Sequence, residues 1–248
     1  MNTTASIVVL HLLFSFLLVV APIWDYVDTR RLKQHPDSAR KIRYYRTLCV
    51  WLWAATVVAC LAVGVRPLFT INSAPDEASW LFDHSWVRWL VEAVISIFTA
   101  LTLLPVCTVI WKKVKKIPRK WSSADALKSL SFFLPATWAE RRWYGFVAIA
   151  AGICEELLFR GFLLHYLHTF PFTFSLTVAM LLAAVIFGLQ HLYQGLAGAA
   201  STVVMALLVS LLFLLTGNLL LPMLLHAAID LRMLLVLCPP DAASPAAA

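Results

Sequence analysis

Seven runs of about twenty apolar residues divide this chain, and they constrain its fold more than any other feature. An α-helix rises about 1.5 Å per residue, so about twenty residues cross a hydrocarbon core roughly 30 Å thick. The runs are continuous rather than alternating, which argues for membrane helices and against a β-barrel. Composition agrees. The chain is 61% hydrophobic and 13% charged, whereas a soluble domain carries about a quarter charged residues. The expected fold class is all-α, a polytopic helical membrane protein of about seven (6–8) transmembrane helices with a polar site inside the bundle. The expected segments are 5–24, 48–65, 87–111, 143–168, 174–190, 196–215 and 219–237. The first has neither a positive region before it nor a small-residue cleavage site after it, and is read as a retained helix rather than a signal peptide. Nothing suggests paired transporter halves, each with a broken helix.

The net charge of +7 does not point to nucleic acid. Of 20 Lys and Arg, seven lie between Asp25 and Thr47 and nine between Lys112 and Arg142. The intervening loop carries Asp76, Glu77 and Asp83, with only Arg66 and Arg88 at its edges. Positive-inside bias then predicts an outer N-terminus, two basic cytoplasmic loops and a cytoplasmic C-terminus. The second basic loop includes a weakly amphipathic stretch, Ala124 to Trp138. Trp24, Trp86, Trp89, Trp111, Trp138 and Trp143 fall at segment ends, as an interfacial belt would. Cys49, Cys60, Cys107, Cys154 and Cys238 lie in or at the ends of apolar segments without CxxC spacing, so they read as small buried hydrophobes. Cys154 lacks the basic neighbour that would make it a nucleophile.

Against this background, ionisable residues stranded in apolar segments stand out. Each costs roughly 2.5–3.5 kcal/mol on insertion scales, and by default marks a site. They form three clusters on successive segments. The first is Glu155-Glu156-Leu157-Leu158-Phe159-Arg160, between Gly152 and Gly161. Glu156 and Arg160 are four apart and can pair on one helix face. Glu155 is turned about 100° away and must look to another helix. The second is Phe187-Gly188-Leu189-Gln190-His191, and the third His226-Ala227-Ala228-Ile229-Asp230, whose two polar ends share a face. Small residues between them allow close helix approach. A carboxylate pair, two histidines and an aspartate on neighbouring helices can hold a water, deprotonate it and stabilise an oxyanion. Glu92, with Arg88 four residues before it, and Arg232, near the end of the last segment, read as interfacial charges.

The order Glu-Glu-x-x-x-Arg, Phe-x-x-x-His and His-x-x-x-Asn/Asp resembles the CPBP (Abi, CAAX protease and bacteriocin-processing) family, which includes the type II CAAX prenyl endopeptidases. The matching residues are Glu155, Glu156 and Arg160, then Phe187 and His191, then His226 and Asp230. Residues 151–162, with Leu134-Pro135 and Glu140-Arg141 upstream, extend the resemblance to about 134–232. It implies an intramembrane endopeptidase with a helical core. By analogy the catalytic set is Glu155, Glu156, Arg160, His191, His226 and Asp230. Glu155 would be the general base, His191 would help hold the water, and Glu156 with Arg160 would form a supporting pair. His226 and Asp230 would face the scissile carbonyl. A divalent metal such as zinc, on Glu155, His191, His226 or Asp230, is the competing reading, weakened by the lack of a His-Glu-x-x-His pair. The prenyl endopeptidases have Asn at the last motif position where this chain has Asp230. An ionised carboxylate cannot donate to an oxyanion, so Asp230 would be protonated, orient His226 or bind metal.

The expected organisation is an N-terminal transmembrane region at 1–126, a catalytic helical core at 127–238, and a Pro- and Ala-rich disordered tail at 239–248. The expected function is hydrolysis of a peptide bond in a membrane-associated protein or peptide by glutamate-activated water. The expected partners are that substrate and the lipid bilayer, and the expected location is a bacterial inner membrane. The alternatives are a non-proteolytic scaffold or immunity protein using the same cavity, and a proton-coupled transporter.

Overall fold

The computed structural model describes residues 4–71, 76, 78–117, 131–169 and 171–237. Glu77, Cys238, the tail at 239–248 and residues 124–130 of the predicted amphipathic stretch lie outside the described residues. Among the described residues the regular structure is helical, with one isolated antiparallel bridge between Thr70 and Asn218. The protein is a polytopic helical membrane protein.

Each predicted segment meets a helical stretch. α1 (Thr4–Ser15) continues through a π-turn (Phe16–Val20) into α2 (Ala21–Gln34), and α3 (Ser38–Val63) follows after three residues. Two short helices, α4 (Val65–Phe69) and α5 (Ser79–Phe82), lead to α6 (Ser85–Val114). α7 (Trp138–Glu156) runs through a second π-turn (Leu157–Leu163) into α8 (Leu164–Thr169). α9 (Leu176–Gln190), α10 (Leu196–Thr216) and α11 (Leu220–Arg232), with a final π-turn (Met233–Leu237), complete the bundle. Ser6–Gln34, Ser38–Val63, Ser85–Val114 and Leu196–Thr216 are long and apolar enough to cross a membrane by length and composition. Helix α9 is apolar but shorter, at 15 residues.

The first basic stretch is more ordered than a loop. Arg31 and Lys33 occupy the last turn of α2, where cations favour the negative helix end. Asp37 caps α3, its Oδ1 accepting from the Arg40 N–H at 2.9 Å.

Helix α7 is central, packed between α3 and α11. It begins with a cap in which Thr137 Oγ1 accepts from the Glu140 N–H at 3.2 Å, while Glu140 Oε2 accepts from the Ala136 N–H at 2.7 Å. Each acidic or hydroxyl oxygen thereby takes up an N–H that the helix start leaves open. Helix α3 runs alongside α7 in the same direction. Lys41 Nζ donates to Leu134 O at 2.8 Å and lies 3.8 Å from Glu140, one turn before Tyr45 meets Tyr144 ring to ring at 5.8 Å. A little further on, Leu52 packs with Ala150, Ala151 and Cys154.

The crossing of α7 and α11 is set by a glycine. A Cβ on Gly152 would come within 2.7 Å of the Ala227 backbone N. Only the bare backbone permits that approach, and it brings residue 226 against residues 155 and 156. Gly161 plays a similar part in the second π-turn, where a Cβ would stand 2.6 Å from the Leu68 carbonyl oxygen.

The first π-turn has a readable cause. The Ala21 N–H reaches back five residues to Phe16 O, and Pro22 has no N–H to offer. Leu17 O is therefore released from the helix ladder, and it accepts from Gln190 Nε2 at 2.9 Å. This bond ties the N-terminal helix to the end of α9, next to His191.

Candidate active site

The three polar clusters converge inside the bundle. At the end of α7, Glu156 is fully buried. Its Oε1 accepts from Arg160 Nη1 at 3.0 Å and from His226 Nδ1 at 2.7 Å. Among the described residues its buried Oε2 has no hydrogen-bond partner. Arg160, also buried, donates through Nη2 to Ala206 O at 3.0 Å, and its guanidinium lies 4.9 Å over the Phe187 ring. The charge is thus shared between a carboxylate, a carbonyl of α10 and an aromatic face, the kind of satisfaction a buried guanidinium requires.

With Nδ1 committed to Glu156, the His226 ring presents Nε2 to the opposite side. That nitrogen stands 3.7 Å from Glu155 Oε2 and 3.9 Å from Asp230 Oδ2. Both separations exceed a direct hydrogen bond and suit a polar group placed between them. His191 caps the C-terminus of α9, and its Nδ1 donates to Phe187 O at 2.9 Å. A carbonyl only accepts, so Nδ1 carries the proton and Nε2 of the neutral ring is an acceptor. Phe187 packs against both imidazoles, with ring centroids 4.7 Å from His191 and 5.9 Å from His226.

Two cavities meet at this cluster. The larger, of about 390 Å³, has Glu155, His191, His226, Asp230 and Thr102 in its wall. The smaller, of about 140 Å³, is apolar and runs between the N-terminal helix and α3. Glu155 and His191 line both, together with Leu48 and Tyr193.

Other sequence candidates fall elsewhere. Cys154 is fully buried against α3 and packs there. Glu92 pairs with Arg88 at 2.9 Å on the exposed face of α6. Arg232 lies in the wall of the larger cavity rather than only at a helix end. Trp24 departs from the belt and stacks on Tyr44, whereas Trp86, Trp89, Trp111 and Trp138 are exposed as belt residues would be. Cys49, Cys60, Cys107 and Cys154 are free thiols.

Among the described residues no three His, Cys, Asp or Glu side chains converge as a metal-binding group. The Nδ1 bonds of His191 and His226 leave Nε2 of each ring as the atom that could serve a ligand, the usual arrangement of a ligating imidazole.

Comparison with known families adds to this geometry. Residues 137–232 match the family model described as Type II CAAX prenyl endopeptidase Rce1-like. The resemblance to CAAX proteases read from the motifs is borne out for this stretch, which runs from the capping Thr137 to Arg232, just after Asp230. The matched family is described as one of endopeptidases. No curated relative and no solved structure matches the chain.

Sequence reasoning missed the wall supplied by the N-terminal helix, above all Trp24 and Asp25, together with Tyr44 and Gln190. The signal available was Asp25 close to an apolar run, read there only as the edge of a basic stretch.

Proposed function

We propose that this protein hydrolyses a peptide bond of a membrane-associated protein or peptide, with water activated by Glu155. The observation that carries the reading is the division of labour between adjacent glutamates. Glu156 is consumed by Arg160 and His226 through direct hydrogen bonds, while Glu155 faces both cavities and meets the His226 ring only at 3.7 Å.

In this reading a water sits between Glu155 and Nε2 of His191. Glu155 takes one proton as the oxygen attacks the carbonyl carbon. The doubly protonated ring of His226, oriented by Glu156, donates from Nε2 to the oxyanion, and Asp230 steers that ring from the other side. Glu155 then gives its proton to the leaving nitrogen as the C–N bond breaks, so the base is regenerated. General-base catalysis of this kind contributes about 10²–10⁴-fold. No residue forms a covalent bond to substrate.

The test uses the purified protein in nanodiscs with a library of membrane-derived peptides, in the presence of hydroxylamine. New peptide C-termini should be plain carboxylates. Hydroxamates would reveal an acyl-enzyme and overturn direct water attack, and the absence of any new terminus would overturn the peptidase reading.

A further inference from the structure

The smaller cavity has a charged end that the proposed chemistry does not use. Its α3 wall is a single stripe, Tyr44, Leu48, Trp51, Leu52 and Ala55, three turns or about 16 Å long. The facing wall is the N-terminal helix, from Phe16 to Asp25. Asp25 and Tyr44 close one end, with the Tyr44 hydroxyl donating to Asp25 Oδ1. Among the described residues Oδ2 has no hydrogen-bond or ion-pair partner.

A half-buried carboxylate facing an apolar groove favours a cation beside it, because partial desolvation of an unpaired charge is costly. Four of the described Lys and Arg residues are engaged elsewhere. Arg31 lies 3.7 Å from Asp28, Lys33 donates to Tyr193 O at 2.9 Å, Arg40 pairs with Asp37 and Lys41 with Glu140. Among the described residues none of the Lys or Arg side chains pairs with Asp25. Aromatic rings stand ready around it. Trp24 stacks parallel to Tyr44 with centroids 6.2 Å apart, and Trp51 lies 6.4 Å from Trp24. Ring faces beside a carboxylate are the usual surroundings of an ammonium or guanidinium group.

We infer that Asp25, Trp24 and Tyr44 form a subsite for a Lys or Arg side chain of the peptide whose backbone passes Glu155. The inference rests on the peptidase reading for its geometry. An extended chain covers about 3.3–3.6 Å per residue, so a groove of this length puts the basic residue within about five positions of the scissile bond. Apolar side chains fill the stretch between. The N-terminal helix thereby sets specificity for a site whose reactive groups lie on α7, α9 and α11.

The experiment separates binding from cutting. Glu155→Gln protein in nanodiscs is offered a library of decapeptides in which Lys, Arg, Glu or norleucine occupies each position in turn of a Leu/Ala/Ser background, and retained peptides are sequenced by mass spectrometry. At one position Lys and Arg should be enriched at least tenfold over norleucine. Adding Asp25→Asn should remove that enrichment, and Asp25→Lys should replace it with enrichment of Glu, a gain that a misfolded protein would not show. No basic enrichment, or enrichment unchanged by either substitution, overturns the subsite. Retention with the expected pattern, but no cutting by the protein with Glu155 intact, keeps the subsite and removes the peptidase reading instead.

Discussion

Nδ1 of His226 donates to Oε1 of Glu156 across 2.7 Å, joining α11 to the end of α7 through two buried side chains. Because Arg160 bonds to the same oxygen, one carboxylate organises both a guanidinium and an imidazole. Breaking one partner of a buried ion pair leaves an uncompensated charge, at a cost of about 3–5 kcal/mol. Glu156→Ala should therefore destabilise the protein by that order in a denaturant titration of the detergent-solubilised protein. Glu156→Ala with Arg160→Ala should cost less than the two single changes added together, since they share one interaction. Wild-type stability in Glu156→Ala would show that the network does not hold the helices together.

The glycine crossing makes a sharper comparison. Gly152 and Gly145 lie two turns apart on α7, but a Cβ at Gly145 would meet nothing within 4 Å. Gly145→Ala should be neutral or stabilising by up to about 1 kcal/mol, as alanine is the better helix former. Gly152→Ala should force α11 away at Ala227 and carry His226 off Glu156. The expected result is loss of peptide cleavage by tenfold or more in Gly152→Ala, with cleavage intact in Gly145→Ala.

Gln190 supplies the third prediction. Replacing it with Leu leaves the Leu17 carbonyl without its side-chain donor at a π-turn that cannot reclaim it. The loss is about 1–3 kcal/mol for an unsatisfied buried group. Amide exchange in residues 17–25 should accelerate in Gln190→Leu while exchange in α10 stays unchanged. Equal protection in both proteins would mean that the N-terminal helix is held by packing alone.

Much of this arrangement could be read from residue order. Continuous apolar runs located seven helical stretches, and the i, i+4 spacing of Glu156 and Arg160 anticipated a pair that forms at 3.0 Å. Spacing within one helix could not say which atoms meet between helices. That His226 would spend Nδ1 on Glu156 and turn Nε2 toward Glu155 and Asp230 follows from the Gly152–Ala227 crossing, a contact between residues 75 apart. The N-terminal helix was opaque for a related reason. Asp25 looks like one more charge beside a basic stretch until Tyr44, 19 residues later, is folded against it. The π-turn could be suspected from Pro22, but its bond to Gln190 links residues 173 apart.

The central claim is that Glu155 activates the water that cuts the substrate. The most direct test compares the termini of membrane peptides in cells expressing the wild-type protein or Glu155→Gln at matched levels. A set of termini present with wild type should fall at least a hundredfold with Glu155→Gln, while the variant stays inserted and folded. Identical termini in the two, with the protein's cellular effect retained by the variant, would contradict it and leave the polar cluster as a binding cavity.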